Sequence, residues 1–234
     1  MKKIIFSIFL MLCFGFNANA DKGVNVGVTL LYGAFDVTGA TEKLAAGHTS
    51  GAGTATTVNA NSEQENAEGE FGLGSIFIEK TLGDRLAIGL DYVPMAADSE
   101  TVENKTNVAG SRTAGTGVDG ALTNTVQVEF ENLATAYVML DLGLVYLKAG
   151  AMQVDVNTNE KLGTGGAYGN TTLDGTVFAL GMNRELDNGA FVRLEGTVME
   201  FDGVELTNQN DSKKSVKVDG IDGYGARISI GKSF

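Results

Sequence analysis

The chain closes on "YGARISIGKSF", Tyr224–Phe234. Tyr224, Ala226, Ile228 and Ile230 take every second position, and Gly225, Arg227, Ser229 and Gly231 fall between them. That is the period of a β-strand with one apolar and one polar face. Ala226–Ser233 also fits the loose phosphate-loop pattern, Ala or Gly, four residues, then Gly-Lys-Ser. A phosphate loop needs a following helix whose N-terminus holds the phosphates. Only Phe234 follows Ser233, so a closing strand is expected and a nucleotide site is not.

The same alternation recurs upstream. Val24, Val26, Val28, Leu30 and Tyr32 share one face; Leu86, Ile88, Leu90 and Tyr92 share another. Val126, Val128 and Phe130, then Ala134, Ala136, Val138 and Leu140, oppose Gln127, Glu129, Glu131 and Thr135. Val145, Leu147, Ala149 and Ala151 oppose Lys148 and Gly150, and Val192, Leu194 and Val198 oppose Arg193, Glu195 and Thr197. Glu70–Leu82 and Thr172–Glu185 are apolar on both faces, so their sides stay unassigned.

Composition narrows the class. The 234 residues include 32 Gly and no Trp, with one each of Cys, His and Pro, and the net charge is −12. So acidic a chain is a poor match for a phosphate backbone, and no nucleic acid partner is expected. Residues 1–20 read as a signal peptide: Lys2 and Lys3, the apolar run "IIFSIFLMLCFGF", then "ANA" ending at Ala20. Cleavage there leaves 15 basic residues against 29 acidic ones and removes Cys13, so no disulfide is expected. Residues 21–234 read as one domain, with no internal repeat.

Links between strands alternate in length. "LGDR" (Leu82–Arg85), "DLG" (Asp141–Gly143) and "LDNG" (Leu186–Gly189) are tight, and Asn188-Gly189 is a hairpin signal. Thr38–Gly69, Ala97–Thr125, Asn157–Thr171 and Asp202–Gly220 are long and polar. An up-and-down meander would gather the tight turns at one end and the long loops at the other. About eight strands result, with ten as the alternative, each about as long as a tilted strand needs to cross a bilayer. In lipid an open sheet would leave unpaired backbone at its edges, so the expected fold is all-β, a closed transmembrane antiparallel barrel. A soluble barrel or sandwich would instead turn its apolar face inward. Tyr32, Phe71, Tyr92, Phe130, Tyr137, Phe201, Tyr224 and Phe234 lie near strand ends, where an interfacial girdle would sit.

With its leader, its strands and a terminal Phe234 on an alternating strand, the chain resembles the small bacterial outer-membrane barrels. The nearest kin would be the opacity-protein and outer-membrane-protein-A transmembrane-domain group. The resemblance implies a cell outer-membrane location in a Gram-negative envelope and a monomer among lipid and lipopolysaccharide. It implies delivery by periplasmic chaperones and the barrel-assembly machinery. That machinery would read Tyr224, Ala226, Ile228, Ile230 and Phe234; Lys232 departs from the usual apolar residue. The implied role is structural or at the surface, with narrow porin-like permeability. The alternatives are a channel for small solutes or hydrophobic compounds and an adhesin acting through the long loops.

If the apolar face meets lipid, then Asp91, Glu129, Glu131, Lys148, Arg193, Glu195 and Arg227 point into the lumen. A barrel of eight strands is only wide enough for side chains to fill it. Charges there must be paired, so carboxylates should neutralise Lys148, Arg193 and Arg227. No enzyme is expected. His48 has no triad partner placed by spacing, and one His with no mature Cys makes no zinc site. "DGIDG" (Asp219–Gly223) lacks calcium-loop spacing, so no metal or cofactor is expected. Leu44–Ala67 and Ala109–Leu122 are low-complexity loops, expected to be mobile.

Overall fold

The computed structural model describes residues 23–45, 61–95, 97–98, 102–107, 121–162 and 166–234. The leader, His48 and most of the two low-complexity stretches lie outside the described residues. Alternation becomes strand throughout: β1 (Val24–Leu44), β2 (Asn61–Leu82), β3 (Leu86–Tyr92), β4 (Ala97–Asp98), β5 (Val102–Asn107), β6 (Ala121–Asp141), β7 (Val145–Leu162), β8 (Thr171–Glu185), β9 (Ala190–Thr207) and β10 (Lys214–Ser233). Every pairing is antiparallel; β3, β4 and β5 all pair with β6, the other neighbours in the ring are consecutive strands, and β10 returns to β1. Val24 and Phe234 close the ring with reciprocal backbone hydrogen bonds of 3.1 and 3.0 Å. Because β3, β4 and β5 lie end to end along β6, the ring has eight strand positions.

Leu82–Leu86, Asp141–Val145 and Glu185–Ala190 make the tight turns, all at the end that holds Val24 and Phe234. Gly83, Gly143 and Gly189 take positive φ there, which those turns require. At the opposite end the strands run further than their alternation suggested. β1 reaches Leu44 and β2 starts at Asn61; β9 reaches Thr207 and β10 starts at Lys214. Much of what reads as long polar loop is therefore ladder. A strand of about 20 residues is roughly twice what a bilayer needs, so half of it is free of the demand for a lipid-facing apolar side.

On the lower half the polarity is inverted relative to a soluble barrel. Val28, Leu30, Ile76, Phe178, Val198 and Ile230 are among the outward apolar residues, with Leu30 66% exposed, while Glu79, Asp91, Lys148, Arg193, Glu195 and Arg227 are buried. Tyr32, Tyr92, Tyr224 and Phe234 are exposed on this outer face. Phe71 and Phe201 instead pack on a core layer with Leu31, Met152, Val177 and Met199, Phe130 packs on the Val154, Val156 and Leu173 cluster, and Tyr137 is buried. Half of the expected girdle is thus interior.

Glycine explains how rings fit so narrow a lumen. Gly27 is in register with Phe77, Gly89 with Tyr137, Gly181 with Tyr146 and Gly231 with Phe191. A Cβ on any of these glycines would lie 2.3–2.5 Å from the ring across the ladder. The ring lies flat over the neighbouring backbone because no side chain stands there.

Candidate functional site: a charged plug and an apolar chamber

Six charged residues meet inside the half that carries the tight turns, three of each sign. Arg193 (β9) forms a two-pronged pair with Glu79 (β2), Nη1 to Oε1 at 2.5 Å and Nη2 to Oε2 at 2.8 Å. Glu79 also accepts from Tyr137 Oη at 2.8 Å and Asn25 Nδ2 at 3.2 Å, and is 1% exposed. Lys148 (β7) donates to Glu195 (β9) at 2.6 Å, Tyr146 Oη reaches the same carboxylate at 3.0 Å, and Arg227 (β10) pairs with Asp91 (β3). Arg227 Nε lies 3.4 Å from Glu195, joining the second and third pairs.

Aromatic rings finish the plug. The Arg193 guanidinium lies 4.5, 5.6 and 5.7 Å from the ring centres of Phe191, Phe77 and Tyr146, and the Lys148 ammonium 5.0 Å from that of Tyr137. An ion taken from water loses many kcal/mol of hydration, which only close opposite charge, hydrogen bonds and ring faces restore. The arrangement supplies all three. Chemically it is a cross-linked cluster in which each carboxylate is paired with a cation.

Five of the seven lumen candidates, Asp91, Lys148, Arg193, Glu195 and Arg227, gather here. Glu129 and Glu131 do not. Between Glu131 and Ala134 the β6–β7 register shifts by a bulge, with Asn132 at φ 56°. The extra residue reverses the facing of everything before it. Glu131 thus points outward in register with Asp155, accepting from Asn157 at 2.9 Å, and Glu129 is outward in register with Asn157. Val128 and Phe130, expected to face lipid, turn inward onto Val154, Val156 and Leu173.

Glu79 is the member that sequence reading missed. Its strand has Phe77 inside and Ile76 and Ile78 outside, so apolarity could not choose a face. The signal available was Gly27, a gap opposite Phe77 on the inward face of β1. Of the candidate assembly residues, Tyr224, Ile228, Ile230 and Phe234 stand exposed on the outer side of β10, with Ala226 in the same row.

Beyond the plug the interior changes character. Leu31, Met152, Val177 and Met199 form an apolar layer. Past it lie two cavities that share Phe130, Leu173 and Ile221 in their walls. One, of about 120 Å³, is bounded by Phe71, Leu73, Val93 and Leu133. The other, of about 350 Å³, is bounded by Val128, Val156, Val204 and Val218. Glu42, Glu160 and Asp202 line the second cavity. Glu160 is held by the backbone amides of Tyr168 and Gly169 at 2.5 and 3.1 Å, and Tyr168 Oη donates to Glu42 at 3.3 Å. Burial, together with the Glu42 carboxylate, pushes the Tyr168 phenol well above its usual range.

Outside, at this height, carboxylates stand in a row. Glu68, Asp36, Asp222 and Glu200 are directly opposed across β2, β1, β10 and β9, and all are exposed. Tyr32 Oη donates to Glu70 at 2.6 Å on the border between apolar belt and acidic collar.

The fold and this interior define a class, the closed eight-stranded antiparallel barrel with an apolar outside and a charged, filled inside. No family model and no curated protein matches the sequence. Among solved structures the chain is similar to the outer membrane protease OmpT from Escherichia coli, at 11% identity over 92% of this chain and 98% of that one, with a TM-score of 0.36. It is similar to the outer membrane protein OprG from Pseudomonas aeruginosa, at 12% identity over 90% and 97%, TM-score 0.38. A third is the attachment invasion locus protein Ail of Yersinia pestis, at 7% identity over 88% and 99%, TM-score 0.33.

Proposed function

We propose that this chain is an integral outer-membrane barrel with a shut lumen, serving the membrane passively and presenting its long-loop end to the outside. The observation that carries the reading is the inversion of polarity: a continuous outward apolar belt around buried ion pairs. So large an exposed apolar surface is hard to reconcile with water, and a closed antiparallel ring leaves no backbone unpaired in lipid. The leader at 1–20 supports export, and the outward row ending at Phe234 supports reading by the barrel-assembly machinery. Val24, Phe234 and the tight turns are assigned to the periplasmic side, and the acidic collar to the lipopolysaccharide side. Porin-like permeability would require three ion pairs to part, which the packing opposes.

Fractionating Gram-negative cells that express the full chain tests this. The protein should sediment with the outer membrane and run faster on gels before boiling than after, as a folded barrel does. Recovery as a soluble periplasmic protein would contradict it.

A further inference from the structure

We propose that the rim at the tight-turn end binds an anionic phospholipid, with its phosphate seated between Arg184 and Lys232. The inference rests on the membrane reading above.

Three cations close the outward apolar rows at this end. On β8 Phe178, Leu180 and Met182 lead to Arg184, on β10 Ile228 and Ile230 lead to Lys232, and on β2 Ile76 and Ile78 lead to Lys80. Each cation stands one or two residues before its strand ends. The register sets them at one height. A ladder row that starts at Arg184 runs through Val192, Ile230 and Val28 to Ile76, four residues farther from the rim than Lys80. The cations instead step back two residues for every two strands crossed. Lys232 is opposite Ala190 and Val26, and Lys80 is opposite Val24. That step undoes the slant that tilted strands give a ladder row. The result is a level arc on β8, β10 and β2, with the small Ala190 between Arg184 and Lys232.

Charge and depth choose the occupant. Among the described residues the three cations form no ion pair, unlike Lys148, Arg193 and Arg227 in the lumen. The Lys232 ammonium lies 5.7 Å from the Phe234 ring centre, at the edge of the belt. Asp84, Glu185 and Asp187 lie in or beside the turns, beyond the arc, where water and salt screen them. Above Arg184 the outer face holds a groove of about 570 Å³, walled by Leu147, Phe178, Leu180 and Val198 and floored by Ala149 and Gly196. Gly196 is opposite Leu180, and no described atom stands within 4 Å of a Cβ there. Leu180 is four residues from Arg184, about 13 Å of strand. That is within the roughly 15 Å that the chains of one leaflet occupy, so a lipid held by its phosphate at Arg184 can lay a chain over this floor. At the other edge of the belt the carboxylates Glu68, Asp36, Asp222 and Glu200 would repel the same headgroup.

The chain has no Trp, so a single introduced Trp reports alone. Leu180→Trp sits in the groove and Tyr224→Trp at the collar edge; Met182→Trp replaces the first should its heat-shifted migration be lost. Each full-length variant is refolded into phosphatidylcholine vesicles that carry a rising fraction of phosphatidylglycerol or phosphatidylcholine brominated in mid-chain. Brominated phosphatidylglycerol should bind about fivefold more strongly than brominated phosphatidylcholine at Leu180→Trp, equivalent to roughly 1 kcal/mol. It should show no preference at Tyr224→Trp. Adding Arg184→Gln with Lys232→Gln should bring the ratio close to one, and soluble glycerol phosphate should not displace the lipid. Equal quenching of Leu180→Trp by the two lipids overturns the site and spares the membrane reading. A Leu180→Trp that neither lipid quenches overturns the membrane reading itself. A preference that survives the double Gln change overturns the assignment to these cations, and the same preference at Tyr224→Trp overturns the distinction between the two edges. Displacement by glycerol phosphate overturns the lipid in favour of a free phosphate ester.

Discussion

The two halves of the lumen solve the same packing problem in opposite ways. Between the tight turns and the middle of the barrel the interior is filled by ion pairs and rings laid over glycine. Toward the long-loop end it is lined by Phe71, Leu133, Leu173 and Phe201 and is left partly empty. The outside is reversed in step: apolar around the charged half, acidic around the apolar half. The surroundings set this. Where lipid is outside, every outward position must be apolar, and polar residues have only the lumen to occupy. Where water is outside, the ordinary arrangement of apolar inside and charged outside returns within the same strands.

Removing one partner of the plug should have the largest effect. Glu79→Ala leaves the Arg193 guanidinium buried and uncompensated, and should destabilise the folded barrel by about 3–5 kcal/mol. Urea titration in vesicles measures this. Glu79→Leu combined with Arg193→Met should recover most of the loss, since an apolar pair of similar volume replaces two buried charges. Failure to recover would mean that the pair specifies the fold rather than only satisfying itself.

On the outer side Val28→Arg, midway along the belt residues of β1, should cost about 2–4 kcal/mol, as a cation at mid-bilayer depth does. The same change at Asp36, in the collar, should be tolerated. Equal costs would abolish the distinction between the halves. Gly89→Val should cost about 1–3 kcal/mol by overpacking, because its Cβ would meet the Tyr137 ring at 2.4 Å. The smallest effect is expected in the collar. Asp222→Asn relieves like charges opposed on both sides and should raise stability by about 0.5 kcal/mol, more at low salt.

Much of the lower half was legible because lipid imposes a simple code. Alternation in β1, β3, β7, β9 and β10 gave both the strands and their facing, and it brought Asp91, Lys148, Arg193, Glu195 and Arg227 to the lumen. The code lapsed where its cause lapsed. Beyond the belt an apolar residue faces inward, so Phe130, expected on the lipid face, and Phe71 and Phe201, expected near strand ends in an interfacial girdle, pack inside instead. The bulge at Asn132 added one residue and reversed Glu129 and Glu131, and a single Asn in a run of alternation is a faint mark of that event. Glu79 was hidden by apolar residues on both faces of β2. The chamber had no linear signature, since its wall residues come from strands distant in sequence.

The central claim is that the plug shuts the barrel, and single-channel recording of the refolded chain in a planar bilayer tests it most directly. The account predicts a silent wild-type protein once gel migration shows that it has folded. It also predicts openings in Glu195→Ala, where Lys148 and Tyr146 lose their shared carboxylate and Arg227 loses its second one. Steady, reproducible openings in the wild type would contradict the account and make the charged cluster the lining of a pore.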